Sequence, residues 1–304
     1  MRSKSKINVY DPTSFLPRFM PSDELMGLMK AGYEKFLVVK LEEMYRHVTK
    51  AVPASRSLTH SCLYLTSGEA NMKIGSESYT IHKDQMLFVP AGQVFSFGEN
   101  DVNKGYLCSF HEDILTGKFG GSELLKDFEF LQVWGNPRIV LPQQTSRFIL
   151  HLFRRILHEY TQNGLNTPNI IQPYFIALLC EANTAYQPVS ASTQTMAVNL
   201  TNRFKALLFA NIRQHHLVSD YAALLNISPN HLNKTVKMIT GKSPGKWIDE
   251  TIVLEAKVLL SQTRFSISEI AAEVGIDDQS YFTRLFKKYE GLTPSEFRAR
   301  IEKS

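Results

Sequence analysis

The chain has 304 residues, 43% of them hydrophobic and 21% charged, a balance that supports a sizeable buried core and excludes a low-complexity or disordered chain. No stretch approaches the ~20 apolar residues of a membrane helix, and the basic start before Pro12 is not followed by the apolar run of a secretory signal. The formal charge of +5 is unevenly placed: residues 200–304 carry 15 Lys and Arg against 11 Asp and Glu, a net of +4, which leaves +1 for the rest. An excess of this size is compatible with a nucleic-acid partner without requiring one. Three cysteines, Cys62, Cys108 and Cys180, are too scattered for a disulfide framework or a zinc knuckle; they read as small buried hydrophobes in a reducing compartment.

From about residue 30 to 112 the pattern is that of strands. Phe36-Leu37-Val38-Val39 and Leu63-Tyr64-Leu65 are short apolar runs. Asn71-Met72-Lys73-Ile74 and Ser78-Tyr79-Thr80-Ile81 alternate about Gly75-Ser76, a hairpin signal. Met86-Leu87-Phe88-Val89 stops at the turn Pro90-Ala91-Gly92, and Val94 to Phe97 and Tyr106 to Phe110 follow. Such spacing suggests a sandwich or small barrel. The period changes after about residue 142. Phe148, Leu152, Phe153, Ile156 and Leu157 predict a helix over about 145–160, and Ile170, Ile171, Tyr174, Phe175, Leu178 and Leu179 a second one reaching about Tyr186. Both helices could pack on the strand region or form a subunit interface. The small polar run at 188–195 is the expected linker, and everything after it reads as helix.

Two similar helical units follow one another, at 218–244 and 265–294. Each has a short helix with an Ala pair, Ala222-Ala223 and Ala271-Ala272. Each then has a tight turn, Asn226-Ile227 and Gly275-Ile276, a longer helix, and a stop at Gly241-Lys242-Ser243-Pro244 or Gly291-Leu292-Thr293-Pro294. Small residues on the first helix let the second cross it closely, as in a helix-turn-helix. Ser219 and Ser266 are expected to cap the first helices, Ser228 and either Asp277 or Asp278 the second. Leu232, Val236 and Ile239 face inward in one longer helix, Phe282, Leu285 and Phe286 in the other. Asn230, Asn233, Lys234 and Lys237 are left outward in the first, and Gln279, Ser280, Tyr281, Arg284, Lys287 and Lys288 outward or flanking in the second. Asn and Gln pair bidentately with adenine and Arg with guanine, while Lys and Ser contact phosphate. Between the units, a helix of 19 residues starting after Ser243 would span ~28 Å, fit to place two recognition helices in major grooves ~34 Å apart.

These residues resemble the DNA-binding domain of the AraC/XylS family of bacterial transcription regulators. The resemblance runs from about 218 to 298, roughly a quarter of the chain. It is carried by Ile227-Ser228-Pro229-x-His231-Leu232, Thr240-Gly241-Lys242-Ser243-Pro244, Ser266-Ile267-Ser268-Glu269-Ile270-Ala271, Ser280-Tyr281-Phe282-x-Arg284-x-Phe286-Lys287-Lys288 and Gly291-x-Thr293-Pro294. It implies base-contacting roles for Asn230, Asn233 and Lys234 and for Gln279, Ser280, Tyr281 and Arg284. Departures are Val236 for Phe, Trp247 for Tyr, and Thr251 and Ile252 where the linker helix often carries an Arg.

The strand region resembles the cupin-like sensor domain of the same family, most closely over residues 84–95. The metal-binding His at the end of that motif is Phe95 here, and His60 is followed by Ser61 and Cys62 instead of a His-x-His pair. His47, His60, His82 and His111 do not supply metal-ligand spacing. The expected fold is therefore a two-domain α+β chain: a cupin-like β-barrel with trailing helices over 1–187, a linker over 188–199, and an all-α DNA-binding domain with two helix-turn-helix units over 200–304. The implied function is sequence-specific DNA binding in transcription regulation, with activation favoured by the resemblance. No catalytic residues, metal or cofactor are expected. Expected partners are double-stranded DNA, a small-molecule effector, a second copy in a homodimer and RNA polymerase, in the cytoplasm and without a membrane. Candidate effector-binding residues are His60, Tyr64, Phe88, Phe95 and Phe97; the barrel could instead be only a dimerisation scaffold. Two alternatives are a metal-dependent cupin enzyme and a non-specific nucleic-acid-binding protein.

Overall fold

The structure, a computed structural model, describes residues 12–19, 22–47, 51–98, 102–115, 127–187 and 196–303. The expected basic tail before Pro12 and residues 188–195 of the expected linker lie outside the described residues; helix has already begun at Met196. Contacts divide the chain into two units, one mainly from Val9–Val52 and Arg56–Val189, the other mainly from Ser190–Ser304. No helix among the described residues is long and apolar enough to cross a membrane.

The N-terminal unit is built on an eight-stranded sheet: β1 (Phe36–Lys40), β2 (Val52–Arg56), β3 (His60–Ile74), β4 (Glu77–His82), β5 (Gln85–Val89), β6 (Val94–Phe97), β7 (Asn103–Phe110) and β8 (Arg138–Val140). Strand β3 organises it. Its first half pairs antiparallel with β5 and β7, so that Cys62 faces both Phe88 and Cys108; its second half pairs with β4 and β6. A register shift between Leu65 and Ser67 separates the halves, the local bend a bulge produces. Burial follows from what covers each half. Cys62, Leu63, Tyr64 and Leu65 are all buried, whereas beyond the bulge Ala70, Met72 and Ile74 alternate with exposed Glu69, Asn71 and Lys73, the pattern of an antiparallel sheet with one wet face. Gly75, at φ 61°, and Ser76 form the expected two-residue hairpin, with Ile74 opposite Glu77.

Three short helices, α1 (Pro12–Phe19), α2 (Asp23–Leu28) and α3 (Leu41–Met44), accompany the sheet, and two long ones, α4 (Gln143–Asn163) and α5 (Pro168–Ala185), follow it. The buried stripe of α4 is Ile149, Phe153, Ile156 and Tyr160. Phe148, one of the apolar residues whose spacing predicts the helix, is 46% exposed, because it sits one residue, about 100° of helix rotation, off that stripe. The two long helices pack on the sheet of their own chain. Phe36 of β1 lies 5.2 Å from Phe175 and 6.2 Å from Tyr160, and Tyr64 and Tyr106 stack on Phe153 at 5.6 and 4.9 Å. Below this layer Glu159 accepts hydrogen bonds from Arg155, Asn163 and Thr167 at 2.7–2.9 Å, and these donors hold its carboxyl down at about 2.

The C-terminal unit is all helix: α6 (Met196–Asn211), α7 (Val218–Leu224), α8 (Pro229–Thr240), α9 (Pro244–Gln262), α10 (Ile267–Glu273), α11 (Gln279–Glu290) and α12 (Pro294–Lys303). Helix α9 is its axis: Ile248, Ile252, Val253, Ala256, Leu259 and Leu260 are buried on it.

Candidate nucleic-acid interface

The two helix-turn-helix units are α7–α8 and α10–α11. In each, one Ala of the short helix, Ala222 or Ala271, is buried where the longer helix crosses. The turns need a left-handed residue at the same place. Asn226 supplies it at φ 57° and Gly275 at φ 82°, Asn being a side chain that tolerates this region. The longer helices are 12 residues each and stop on left-handed glycines, Gly241 at φ 72° and Gly291 at φ 74°. They correspond residue for residue, Leu232 with Phe282, Thr235 with Leu285 and Val236 with Phe286 on the buried side.

Capping fixes where these helices begin. The Ser228 hydroxyl accepts the His231 N–H, with Pro229 in the first helical position. Asp278 accepts the Ser280 and Tyr281 N–H groups at 2.8 and 3.1 Å and is the cap of α11, in preference to Asp277. Ser266 and Glu269 form a reciprocal capping box on α10. On α7 the expected cap at Ser219 does not occur. The helix begins at Val218 with Leu217 in the cap position, two residues before Ser219, and the Leu217 N–H donates to the Asp220 carboxylate at 3.1 Å, the contact that the acid of a capping box makes.

Asn230, Asn233, Lys234 and Lys237 are all exposed on α8, and Gln279, Ser280, Tyr281, Arg284, Lys287 and Lys288 are all exposed on α11. Each set forms one polar face on a helix whose opposite face is in the core. Lys237 and Lys287 also lie in the last turns, where the helix dipole favours a cation. Lys288 is turned toward the linker helix, with Nζ 3.7 Å from an Asp249 oxygen and 5.0 Å from the Tyr289 ring centre. His231, part of the motif that carries the resemblance, is not among the expected DNA contacts. It is exposed, and it stands at the position of α8 that Tyr281 holds in α11; the 50-residue offset between the helices is the signal that finds it.

The linker helix runs over the predicted 19 residues, with the Ser243 hydroxyl accepting the Lys246 N–H and Pro244 first. Trp247 is held at its N-terminal end: its indole N–H donates to Thr240 at 3.1 Å, and the ammonium groups of Lys205 and Lys242 lie 4.7 and 5.1 Å from the ring centre. Thr251 and Ile252, at the places where the resemblance leads one to look for an Arg, respectively bond the Trp247 carbonyl and enter the core.

The N-terminal unit holds an apolar cavity of about 80 Å³. Phe15, Leu37, Leu63, Phe95, Phe97 and Leu107 are among its walls, and Ser57, Thr59, Ser61 and Ser109 supply hydroxyls at its margin. Phe95 and Phe97 thus line it as expected of candidate effector contacts. His60, Tyr64 and Phe88 do not, and the reason is strand parity: Ser61, Leu63 and Val89 point into the cavity, so their neighbours point the other way. The Tyr64 hydroxyl bonds Ser146 at 2.7 Å, Phe88 packs 4.4 Å from Phe130, and His60 stacks on Phe110 at 5.1 Å. His60 Nδ1 accepts the Ala91 N–H, so its proton is on Nε2, 3.3 Å from Glu112, whose carboxyl is held below its usual range by that contact. Among the described residues no three His, Cys, Asp or Glu side chains gather as a metal site.

Comparison with known proteins agrees with this geometry. A family profile described as "Helix-turn-helix domain" matches residues 221–300. The arabinose operon regulatory protein of Salmonella typhimurium is 29% identical over 168 residues, covering 47% of this chain and 60% of that protein. Its Escherichia coli counterpart is 30% identical, over 47% and 61%. The chain thus aligns with about three fifths of the arabinose regulators. The HTH-type transcriptional regulator YisR of Bacillus subtilis is 23% identical over 79% of this chain and 83% of its own. Among solved structures, the C-terminal domain of AraT from Geobacillus stearothermophilus shares 30% identity over 35% of this chain and 88% of that one, with a TM-score of 0.33. ToxT of Vibrio cholerae shares 12% over 88% and 98%, with a TM-score of 0.44. The chain thus carries a helix-turn-helix domain at its C-terminal end and is similar to transcription regulators, the arabinose operon regulatory proteins among them.

Proposed function

We propose that this protein is a sequence-specific DNA-binding transcription regulator, and that α8 and α11 enter two adjacent major grooves of one operator. The observation that carries the reading is the pair of equal, independently capped recognition helices in one unit, each with an exposed Asn, Gln, Lys or Arg face. In such a docking the N-terminal residues of each helix meet base edges. Asn230, Asn233, Lys234, Gln279, Ser280, Tyr281 and Arg284 are then the base readers, with Lys237 and Lys287 on phosphates.

The N-terminal unit serves as a cupin-like sensor. Its cavity takes a small effector against Phe95, Phe97 and Leu63, and α4 and α5 contribute to a homodimer. Effector binding shifts the orientation of paired DNA-binding units by a coupling of about 1–3 kcal/mol, and the bound dimer recruits RNA polymerase to activate transcription in the cytoplasm. The role is one of binding and not of catalysis.

The test is genomic DNA capture with full-length protein at ~0.15 M salt, where non-specific association is weak. A motif with two blocks about one helical turn apart supports the reading. Uniform, strongly salt-dependent capture without a motif points instead to a non-specific nucleic-acid-binding protein.

A further inference from the structure

The two helix-turn-helix units are joined in sequence by α9, and α9 also holds the far ends of both recognition helices. The Lys242 ammonium, just past α8, bonds Glu250 at 3.1 Å, and the Trp247 indole bonds Thr240. At the end of α11 the Tyr289 hydroxyl donates to Asp249 at 2.9 Å and Lys257 pairs with Glu290 at 2.8 Å. These ties fix C-terminal ends. They leave open what holds the turn of the second unit, from which the base-facing residues of α11 start.

That turn is gripped by a segment on the first unit's side, the loop between α6 and α7. The His216 ring bonds the Val274 carbonyl through Nε2 at 3.0 Å. A carbonyl only accepts, so Nε2 carries the proton. Val274 is the C-terminal cap residue of α10, and its carbonyl has no later helical turn to bond. The next residue, Gly275, packs closely against the same ring: a Cβ there would lie 2.2 Å from His216 Cε1 and 2.8 Å from the Arg213 carbonyl oxygen. Arg213 itself pairs at 3.2 Å with Glu255 of α9, a carboxylate that is buried. Linker helix, first-unit loop and second-unit turn therefore meet at one point.

We propose that this loop is a clamp that sets the spacing at which α8 and α11 are presented, with His216 as its positioning residue. The inference rests on the DNA-binding reading above and adds a specificity to it: the operator is selected for the distance between its two boxes as well as for their bases. One inserted base pair moves the second box by about 3.4 Å and turns it by about 35°. A pair of helices pinned at both ends of α11 cannot follow that change, whereas a pair pinned only through α9 can pivot.

Two measurements test it. In a Cys180→Ser background, which removes the exposed thiol and leaves Cys62 and Cys108 buried, spin labels at Met238→Cys and Lys287→Cys report the separation of the recognition helices in the full chain without DNA. One narrow distance distribution is expected, broadened by His216→Ala and restored by His216→Gln, whose amide keeps an N–H donor. Equal widths in all three proteins overturn the clamp. The second measurement uses the duplex selected by the full chain and its one-base-pair insertion and deletion. His216→Ala is expected to shrink the spacing penalty about fivefold, the equilibrium factor of one hydrogen bond, and His216→Gln to restore it. A variant that weakens all three duplexes equally shows a purely structural role and overturns the proposal. If no duplex is selected at all, the DNA-binding reading falls, and the distance measurement still decides the clamp.

Discussion

Replacing Gly275 by Ala should be far more damaging than the same change at Gly241, although both residues are left-handed, at φ 82° and 72°. A Cβ at Gly241 meets no atom within 4 Å, so Gly241→Ala bears only the backbone cost, about 1 kcal/mol. At Gly275 the same backbone cost is joined by contacts of 2.2 Å to the His216 ring and 2.8 Å to the Arg213 carbonyl oxygen. The ring must swing away and give up its bond to Val274, about 1 kcal/mol, and the backbone oxygen must shift, an overpacking cost of about 1–3 kcal/mol. The total is about 3 kcal/mol or more. Urea unfolding of the C-terminal unit, followed by Trp247 emission in a Trp134→Phe background, measures both variants. Gly291→Ala is a second control, since its Cβ also meets nothing within 4 Å. If Gly275→Ala unfolds at the same urea concentration as the two controls, the close packing of His216 on the turn is refuted.

Arg284→Ala should cost about 1–3 kcal/mol on the selected duplex and relax preference at one base position; equal loss on every sequence would make Arg284 a phosphate contact. Glu159 carries its own pH signature. Its carboxyl is held at about 2 against an ordinary 4.5, so the stabilisation is fully present above about 4.5 and is lost as pH falls toward 2. The stability gap between wild type and Glu159→Gln, measured on the N-terminal unit, should close over that interval, and a gap that does not change with pH would contradict the assignment. Leu63→Trp fills the cavity that Leu63 lines. It should abolish any effector-dependent change in DNA affinity while leaving effector-free binding intact, by titration on the selected duplex; an unchanged effector response would move the effector elsewhere.

The C-terminal helical third of this protein was largely legible in the sequence. The duplicated Ala pair, the left-handed turn residue, the Ser228 and Ser266 caps and the Gly-x-(Ser/Thr)-Pro stops act through local backbone chemistry, within a few residues of where they stand. The linker helix likewise begins where Ser243 and Pro244 place it and runs the expected 19 residues. At α7 the structure differs from the expected Ser219 cap: Leu217, two residues earlier, holds the cap position and its N–H goes to the Asp220 carboxylate. Sheet residues were legible as strands but not as faces. Side chains alternate with period 2, so an error of one in parity carries His60, Tyr64 and Phe88 from the cavity to the opposite side. Phe148 shows the helical counterpart: its spacing marks the helix, yet it lies about 100° from the buried stripe. What sequence by itself determined is what depends on neighbours along the chain: the element types, the repeat, the Ser228, Ser243 and Ser266 caps and the exposed polar faces of α8 and α11. What only the tertiary structure decided is what depends on residues brought together from far apart. It set which strand face the helices α4 and α5 would cover, and it set the meeting of His216 with Val274, 58 positions later, around a glycine whose missing side chain makes room for the ring.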